Sequence, residues 1–581
     1  MLNKLSAFLQ QVILLTVLGL VLVSGTLAAA PPAGPPGERL AVSGLLKNPQ
    51  GRAVKDAEVE FLVNGHRVKP LGAEETVTTG KSGAFVAELQ LPAGTLPGAR
   101  VEVTAKKPSW RDLAATPVKV VEAGVDATGN RVFQANQTFT LYRQITPGFW
   151  IASIILLLVY LCIAFEWMHR TLAALLGAAL ILFITYTLGI FDKSYFIMSF
   201  EDAMRAIDLN VIFLLMGMMI IVGVTKKTGM FQWLAYQAYA LARGNVLVLA
   251  IILMWITAVV SAFLDNVTTM LLMIPVTIEI AVTLKINPIT LLVPEVFASN
   301  VGGTATLIGD PPNILIGSYA HLTFGDFVTN LTLVCTIGMV VTALYFVFWY
   351  KKDYLKAEVK DVTKTIEYLR EEYRITDRKL LIMCLGLLGF TVLFFVVHGV
   401  LHMEPSIAAL TGAMLLVTIS RVDIVEMLEH EVEWPTLVFF IALFMVIAGA
   451  EETGLIQIIA EWVKSVSGGN LTIAVIMVLW VSAIASAFID NIPFTATMLP
   501  IIAFLNQTIP GAESGVLWWA LALGACLGGN GTMIGASANV VTVGMAEKAG
   551  YHISYLEYLK ACFAPMLLTV ALAMGYLLIA Y

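Results

Sequence analysis

The stretch SAFLDNVTT at residues 261–269 and the stretch GGTATLIGDPPN at residues 302–313 decide the fold of this chain. Both are rich in carboxylates, amides, hydroxyls and helix breakers, yet apolar runs of membrane length flank them. A bilayer tolerates such polar, irregular backbone only where protein buries it or where it lines a cavity. Charged side chains at that depth typically mark a path for ions or substrate. The two stretches therefore predict a polar site inside a membrane protein.

Both stretches recur later in the chain. SAFIDNIPFT at 486–495 repeats the first stretch at an offset of 225 residues, and GGNGTMIGASAN at 528–539 repeats the second at an offset of 226. Five predicted membrane crossings separate the two copies. Because this number is odd, the copies lie on opposite sides of the membrane. The sequence therefore predicts inverted repeats, an arrangement typical of secondary transporters.

The composition favours the same class of protein. The chain has 581 residues, of which 58% are hydrophobic and 13% are charged, which is typical of a polytopic membrane protein. The net charge is −6 and there is no basic block, so we expect no nucleic-acid partner. The five cysteines lack metal-ligand spacing. We therefore expect no cofactor, and no metal apart from Na⁺ as a transported or coupling ion.

The first part of the chain predicts an exported domain. Residues 1–30 have the charged start, apolar centre and small-residue end of a signal peptide, with an uncleaved membrane anchor as the alternative. A Pro/Gly linker follows at 31–37. Short alternating runs between turn residues at 38–145 predict a small antiparallel β-sandwich outside the cytoplasm. Its pattern resembles carboxypeptidase-regulatory-like or immunoglobulin-like domains.

Apolar runs divide the rest of the chain into an all-α membrane part. We expect N-terminal membrane helices at 148–200, a first transporter repeat at 201–350 and a second repeat with lead-in helices at 380–581. The loop 351–379 has nine Lys and Arg residues, which places it in the cytoplasm. Its acidic and basic residues interleave at helical spacing, which predicts a solvated helical linker rather than a regulatory site. The expected location is the plasma membrane, crossed many times.

The copies of the first stretch predict two re-entrant hairpins. Apolar arms of about 17 residues flank Asp265-Asn266 and Asp490-Asn491, which is short for a complete span. Each Asp-Asn pair would lie at a hairpin tip, with an ordinary pair of spans and a polar kink as the alternative. The copies of the second stretch predict two broken helices, because the prolines at 311–312 cannot continue a regular helix. Half-helix ends present both N–H and carbonyl groups, so the chemistry suits either anions or cations.

At these residues the chain resembles the ion transporter superfamily, in particular the ArsB/NhaD permeases and the P protein branch, over about residues 200–580. The resemblance implies a carrier rather than an enzyme, with two hairpins, two broken helices and usually a homodimer. It also implies that substrate and coupling ion bind at the hairpin tips. Dicarboxylate carriers of the superfamily have Ser-Asn-Thr at the tips, whereas this chain has Asp-Asn, which suits Na⁺ or H⁺ better than a dianion.

The polar stretches supply the candidate ion-binding residues. Asp265 and Asp490 come first, because two converging carboxylates near the membrane centre need a proton or a cation; helix capping is the alternative. Glu295 is the candidate proton carrier, with a buried structural hydrogen bond as the alternative. Asp310 is a further candidate for ion binding, and the alternative is that it only caps the N-terminus of a helix. The other candidates belong to the two stretches or lie near them: Asn266, Thr268, Asn300, Thr304, Asn313, Asn491, Thr495, Asn530, Thr532 and Asn539.

The sequence thus predicts a secondary active transporter of a small ion, coupled to H⁺ or Na⁺. Sodium/proton antiport and transport of arsenite or another inorganic anion are the two forms of this prediction, and a citrate or dicarboxylate carrier is the alternative. A membrane sensor whose sandwich binds a ligand is less favoured, because the internal loop is too short for an output domain. An intramembrane aspartyl protease is disfavoured, because residues 307–310 are LIGD rather than the Gly-x-Gly-Asp of that class.

Overall fold

A computed structural model of the chain describes residues 37–581, apart from 50, 52, 73–74, 127–129 and 357–361. The predicted signal peptide at 1–30 and all of the linker except its last residue lie outside the described residues. The chain divides into two compact units, with the boundary between Gln144 and Ile145. The first unit is built from strands and the second from helices.

Strands of the first unit form two sheets that share one apolar core. The described strands are β1 Gly37–Lys47, β2 Glu58–Val63, β3 His66–Val68, β4 Val77–Thr78, β5 Ala84–Pro92, β6 Val101–Lys106, β7 Leu113–Pro117, β8 Val120–Val125 and β9 Arg131–Thr140. One sheet has the order β5-β1-β9-β8, and the other has the order β3-β2-β6-β7 with β4 beside β2. Every second residue of β5 from Phe85 to Leu91 is buried, as the alternating pattern predicts.

The expectation that this sandwich is antiparallel throughout is wrong for one pair of strands. The first strand, β1, pairs in parallel with the last strand, β9, and Leu40 lies opposite Phe133. Parallel neighbours require a long crossover, and here the connection between them includes the strands of the other sheet. Alternation of apolar and polar residues is the same in both kinds of ladder, so the pattern alone did not distinguish them.

The second unit is helical. Its described helices are α1 Pro147–Ala164, α2 Arg170–Phe191, α3 Phe200–Arg205, α4 Leu209–Lys226, α5 Met230–Ala242, α6 Val246–Ser261, α7 Asn266–Thr283, α8 Ile289–Thr304, α9 Pro311–Ala320, α10 Phe324–Trp349, α11 Lys351–Tyr354, α12 Val362–Glu372, α13 Arg378–Leu401, α14 Pro405–Ser420, α15 Ile424–His430, α16 Trp434–Thr453, α17 Leu455–Val466, α18 Leu471–Phe488, α19 Asn491–Thr508, α20 Val516–Gly528, α21 Ser537–Lys548 and α22 Tyr555–Ala580.

Nine of the described helices are long and apolar enough to cross a membrane. They are α1, α2, α4, α7, α10, α13, α16, α18 and α22. Three further apolar helical segments are shorter, namely α6, α14 and the segment Val516–Gly531 that contains α20. The helical unit is therefore a polytopic membrane domain, as the composition predicts.

Both glycine-rich stretches interrupt a helix. The first break lies between the end of α8 at Thr304 and the start of α9 at Pro311. A proline is favourable at this first helical position, where its missing N–H has no partner to lose. The second break lies between α20 and α21 and includes the 3-10 turn Gly529–Gly531. The chain therefore supplies free helix ends at two places inside the apolar unit.

Glycine allows the broken helices to lie against their neighbours. A Cβ atom at Gly302 of α8 would lie 2.2 Å from the Ala258 carbonyl oxygen of α6. In the second half, a Cβ atom at Gly528 of α20 would lie 2.4 Å from the Ala483 carbonyl oxygen of α18. The pairs α6–α8 and α18–α20 are thus packed backbone to backbone. Helices from the first part of the unit also pack on helices from the second part: α4 packs on α14, and α2 packs on α16.

Among the shorter helices, α5 and α17 are not marked by apolar runs of membrane length. The helices α5 and α17 have 13 and 12 residues, and polar side chains interrupt both. Each follows a left-handed glycine, Gly229 with φ 76° and Gly454 with φ 100°. In α17 the side chains of Ile458, Trp462 and Val466 are exposed on one face. This is the face expected of a helix that contacts lipid at the membrane surface.

The expectation of a fully solvated linker at 351–379 is wrong in part. Helices α11 and α12 lie within it, as predicted, but Leu369 of α12 is completely buried in a cluster with α5 and α6. The Tyr373 hydroxyl donates a hydrogen bond to the Glu279 carboxylate of α7. A few apolar residues among many charged ones are enough to pack a helix against its neighbours. In a sequence with so many charges, these few residues do not produce a clear apolar pattern.

Candidate functional site

The two aspartates of the repeated stretch lie where one helix ends and the next begins. Residues 262–265 between α6 and α7 are called the first tip here, and residues 489–490 between α18 and α19 the second tip. The Asp265 carboxylate accepts hydrogen bonds from the Thr268 N–H at 2.9 Å and the Thr268 hydroxyl at 2.5 Å. Asp490 accepts from the Ile492 N–H at 3.0 Å. Both aspartates therefore cap helices, and an additional ion-binding role stays a prediction.

Asp490 has two further partners that the sequence did not indicate. The Ser537 hydroxyl, at the start of α21, donates to its carboxylate at 2.9 Å. The Arg170 guanidinium, at the start of α2, lies 3.4 Å from the same oxygen and also donates to Ser537. In the sequence, Arg170 is part of a basic end of an apolar run, which predicts a cytoplasmic anchor. No local pattern separates an arginine that faces water from one that turns inward.

A cavity of about 500 Å³ leads to this group of side chains. Arg170, Asp490 and Ser537 line it, and so does Glu433, which directly precedes α16. Val267, in the first turn of α7 and two residues after Asp265, borders it as well, so the cavity reaches the second tip and the start of the helix that follows the first tip. Its rim includes the exposed side chains of residues 166 and 169. The cavity therefore extends from the exposed surface of the unit to Asp490.

Four buried asparagines join the two halves of the unit. The Asn266 amide donates to the Asn300 oxygen at 3.0 Å. The Asn300 amide donates in turn to the oxygens of Asn530 and Asn539, both at 3.0 Å. All four side chains are at most 2% exposed. This cluster connects α7 and α8 with the second helix break and α21, and it contains candidate residues from both copies of the repeat.

The last asparagine of each glycine-rich stretch holds the ends of its broken helix. The Asn313 amide donates to the carbonyls of Thr304 and Thr306 at 3.0 and 2.8 Å. The Asn539 amide donates to the carbonyls of Gly529 and Thr532 at 2.8 and 2.9 Å. Carbonyls at a helix end lack an intrahelical partner, so these amides fill the hydrogen-bonding need that each break creates.

A threonine anchors each break to the neighbouring tip. The Thr306 hydroxyl donates to the Ala262 carbonyl of the first tip at 2.5 Å. The Thr532 hydroxyl donates to the Ala487 carbonyl beside the second tip. The two threonines are 226 residues apart and the two alanines are 225 residues apart, the same offsets as in the repeated sequence. The same contact therefore occurs once in each half.

Two buried carboxylates of the helical unit each have an oxygen without a hydrogen-bond partner among the described residues. Asp310 is completely buried and accepts at 3.3 Å from the Asn491 amide, and its other oxygen is unpartnered. Although it stands at the N-cap position of α9, its side chain makes no capping hydrogen bond. Glu295 is also completely buried, with the Thr257 hydroxyl 3.4 Å from one oxygen and no partner for the other. A carboxylate in this environment is costly unless it gains a proton or a cation.

The remaining candidates have structural contacts or stand apart. The Thr304 hydroxyl bonds to the Asn300 carbonyl of its own helix at 2.7 Å. The hydroxyl of Thr495 is buried without a partner among the described residues. No hydrogen bond or ion pair in the described part of the chain joins Asp265 to Asp490, although Asp310 lies within electrostatic reach of both. Residues 37–581, outside their gaps, contain no group of three His, Cys, Asp or Glu side chains placed to hold a metal ion.

Comparison with known proteins identifies the family. A family model described as citrate transporter matches residues 160–524, which include both tips and the first helix break. The chain belongs to the citrate transporter family. This membership confirms the resemblance to the carriers of that group. It also makes the protein a multi-pass membrane transporter rather than an enzyme.

Curated relatives of this citrate transporter family member agree. A Mycobacterium bovis protein named as an uncharacterized transporter is 42% identical over 432 residues, which are 74% of this chain and 98% of the relative. The 46 kDa membrane protein of Mycobacterium leprae is 40% identical over the same coverage. The mouse P protein is 36% identical over 501 residues, which are 73% of this chain and 59% of the P protein. The predicted likeness to the P proteins is thereby confirmed.

A solved structure, a 3-chlorocatechol 1,2-dioxygenase from Rhodococcus opacus, resembles 19% of the chain at 14% identity. Its TM-score of 0.15 is too low to support any statement about fold or function.

Proposed function

We propose that this protein is a secondary active transporter of a small inorganic ion, coupled to H⁺ or Na⁺, in the plasma membrane. The observation that carries the proposal is a carboxylate at each of two tips with matching sequence, together with the cluster of buried amides that joins the two halves. Asp265 and Asp490 would ligate the ion, and the asparagine cluster around Asn300 would hold the two halves in register. Discontinuous helices beside such a site provide oxygen and N–H ligands without a cofactor.

Coupling to a cation or proton follows from the unpaired carboxylate oxygens. Asp310 lies within electrostatic reach of both tip aspartates, so three negative charges would share one apolar region. Each intramembrane charge costs several kcal/mol, about 3 on insertion scales. Protonation of Asp310 or Glu295, or a bound Na⁺, removes part of this cost. We therefore assign Glu295 the role of proton carrier and Asp310 a place beside the transported ion.

Inverted repeats with re-entrant hairpins are the proposed architecture. The recurring contacts support it, because the α6–α8 and α18–α20 pairs and the two threonine anchors match at the offsets of the repeated sequence. Odd crossing parity between the copies would then bring the first tip from the cytoplasm and the second from outside. The unit at 37–144 would lie outside the cytoplasm after a signal peptide. A homodimer is the assembly that the family resemblance implies.

Transport of an organic anion such as citrate is the second candidate. The family description favours it, and so does Arg170, because a guanidinium in a cavity is suited to binding carboxylates. Against it stand the negative charges of Glu433 and Asp490 on the walls of the same cavity. A citrate carrier would have to place its anion beside those carboxylates or neutralise them with cations.

A flux panel in proteoliposomes tests the proposal. The full chain is reconstituted, and uptake of Na⁺, arsenite, silicate and citrate is measured with and without a pH gradient. We expect Na⁺ or an inorganic anion to respond to the gradient. We expect Asp265→Asn and Asp490→Asn each to abolish gradient-driven flux. Citrate uptake as the only flux that responds would favour the second candidate.

Asp377→Asn is the matched control. Asp377 caps α13, accepting from the Leu380 N–H at 2.9 Å, and it is exposed and outside the site. Asparagine caps a helix about as well as aspartate, so this variant should keep full flux. If Asp265→Asn and Asp490→Asn together leave flux and its pH dependence unchanged, the tip aspartates only cap helices and the proposal fails.

A further inference from the structure

Arg170 reaches the second tip from a helix that precedes both copies of the repeated sequence. Its guanidinium lies 3.4 Å from the Asp490 carboxylate and donates to the Ser537 hydroxyl. It also donates to the Thr436 hydroxyl at 3.1 Å, and it lies 5.4 Å from the centre of the Phe439 ring. The Arg170 side chain is 23% exposed and the Asp490 side chain 10%. A positive charge is thus held against Asp490 at the inner end of the cavity, with both side chains mostly buried.

The first tip differs in its counter-charge. Within the part of the chain that the structure describes, no basic side chain forms an ion pair with Asp265, whose carboxylate accepts from Thr268 instead. Glu433, on the wall of the cavity, places a second carboxyl group within electrostatic reach of Asp265. The two tips therefore match in sequence but not in charge.

The other titratable groups of the cavity do not substitute for Arg170. The His169 ring accepts from the Thr171 N–H at 3.3 Å and is exposed at the rim. Glu166, also exposed there, and Glu433 are acidic. Of the groups that line the cavity, Arg170 alone gives Asp490 a permanent positive partner.

We propose that Arg170 is a built-in counter-cation for Asp490, which occupies the position that the coupling cation takes during transport. The inference rests on the proposed function, in which Asp490 binds that cation. A carboxylate paired with a guanidinium attracts a second cation less, because the two positive charges repel and compete for the same oxygens. Asp490 therefore binds a cation fully only when Arg170 moves away.

This competition ties cation binding to a contact between parts of the unit. Arg170 begins α2, which packs on α16, whereas Asp490 and Ser537 belong to the second tip and the start of α21. When a cation displaces Arg170, the ion pair and the hydrogen bond to Ser537 are both lost. Binding at Asp490 thus releases the second tip and α21 from α2, which gives the cation control over their movement.

Cation-dependent stability of the full chain tests the inference. The unfolding temperature in detergent is measured while NaCl replaces choline chloride at constant ionic strength, and in a second series while the pH is lowered. For the cation that stabilises the wild type, Arg170→Gln should lower the half-maximal concentration about tenfold, which corresponds to about 1.4 kcal/mol. Arg170→Lys should lower it less, because lysine keeps the charge but lacks the forked guanidinium.

Two further variants make the test specific to the pair. In an Asp490→Asn background, Arg170→Gln should produce no shift, because the carboxylate for which the two cations compete is gone. Lys226→Gln is the matched control, since Lys226 pairs with Glu431 at 3.2 Å away from the cavity, and it should leave the concentration unchanged. An unchanged value in Arg170→Gln, or the same shift with and without Asp490, overturns the inference. If Arg170→Gln does not fold, an unchanged value in Arg170→Lys does so.

Failure of this inference differs from failure of the proposed function. If neither Na⁺ nor protons stabilise the wild type more than Asp490→Asn, Asp490 binds no cation and both ideas fall. If Arg170→Gln raises the citrate concentration for half-maximal flux and leaves the cation dependence unchanged, Arg170 binds an anion. That result overturns the counter-cation role but leaves cation coupling at Asp490 intact.

Discussion

Replacing Asn300 by leucine should cost a large part of the stability of the membrane unit. Leucine has the branched shape of asparagine and keeps water out of the site, but it forms no hydrogen bonds. The variant would leave three buried groups without their Asn300 partner, namely the Asn266 amide and the oxygens of Asn530 and Asn539. A buried polar group without a partner costs about 1–3 kcal/mol. At the lower limit for each group, the total loss is about 3 kcal/mol.

The free energy of unfolding, measured by SDS titration in mixed micelles, checks this value. Asn330→Leu is the control, because Asn330 lies on α10 outside the cluster and is only partly buried, so water can replace its hydrogen bonds to the Asp326 carbonyl and the Tyr581 hydroxyl. We expect this control to change the stability by about 0.5 kcal/mol or less. A double-mutant cycle of Asn300→Leu with Asn530→Leu should show a coupling energy above about 0.5 kcal/mol, because the two side chains share a hydrogen bond.

Two outcomes would contradict the reasoning about this cluster. One is a loss below about 1 kcal/mol for Asn300→Leu, which would mean that the buried groups find other partners. The other is simple additivity in the cycle, which would mean that the amides act independently. In either case the asparagines would not connect the two halves energetically.

Three further predictions concern other parts of the chain. Gly302→Ala should destabilise the unit by about 1–3 kcal/mol, because the new Cβ atom would lie 2.2 Å from the Ala258 oxygen; a wild-type melting temperature would contradict the close packing. Burial, and after it the charge of Asp265, raises the pKa of Glu433, so the folded state binds this proton more tightly than the unfolded state does and loses stability as the pH rises from the ordinary glutamate range through the raised pKa. Glu433→Gln should gain in melting temperature over the wild type across that range, and a difference that does not change with pH would argue against this reasoning. Residues 37–144 expressed alone should melt cooperatively by circular dichroism, and a disordered wild-type spectrum would reject independent folding. Because Phe61 is buried in the core of this unit, Phe61→Ala should lower its free energy of unfolding by about 3–5 kcal/mol.

Local physical chemistry made much of this protein predictable from its sequence. Apolar runs locate the spanning helices, because a helix that crosses lipid makes all of its backbone hydrogen bonds within its own segment. Such a helix can therefore be recognised from that segment alone. The helix breaks at 305–310 and 529–536 follow from glycines and prolines that act on their own neighbourhood. Three of the four asparagines in the buried cluster, at 266, 530 and 539, lie within the repeated stretches of the sequence. These features require no knowledge of which helix faces meet.

Tertiary packing alone decided the partners of those residues. Arg170 meets Asp490 across 320 residues, and Asn300 meets Asn539 across 239. The parallel pairing of β1 with β9 and the docking of Leu369 likewise depend on contacts between distant segments. Such pairings depend on the free energy of burial and hydrogen bonding added over all the helix contacts of the unit. No short window of sequence contains that information. The sequence therefore determined the membrane fold and its polar residues, whereas packing determined which charges and amides face each other.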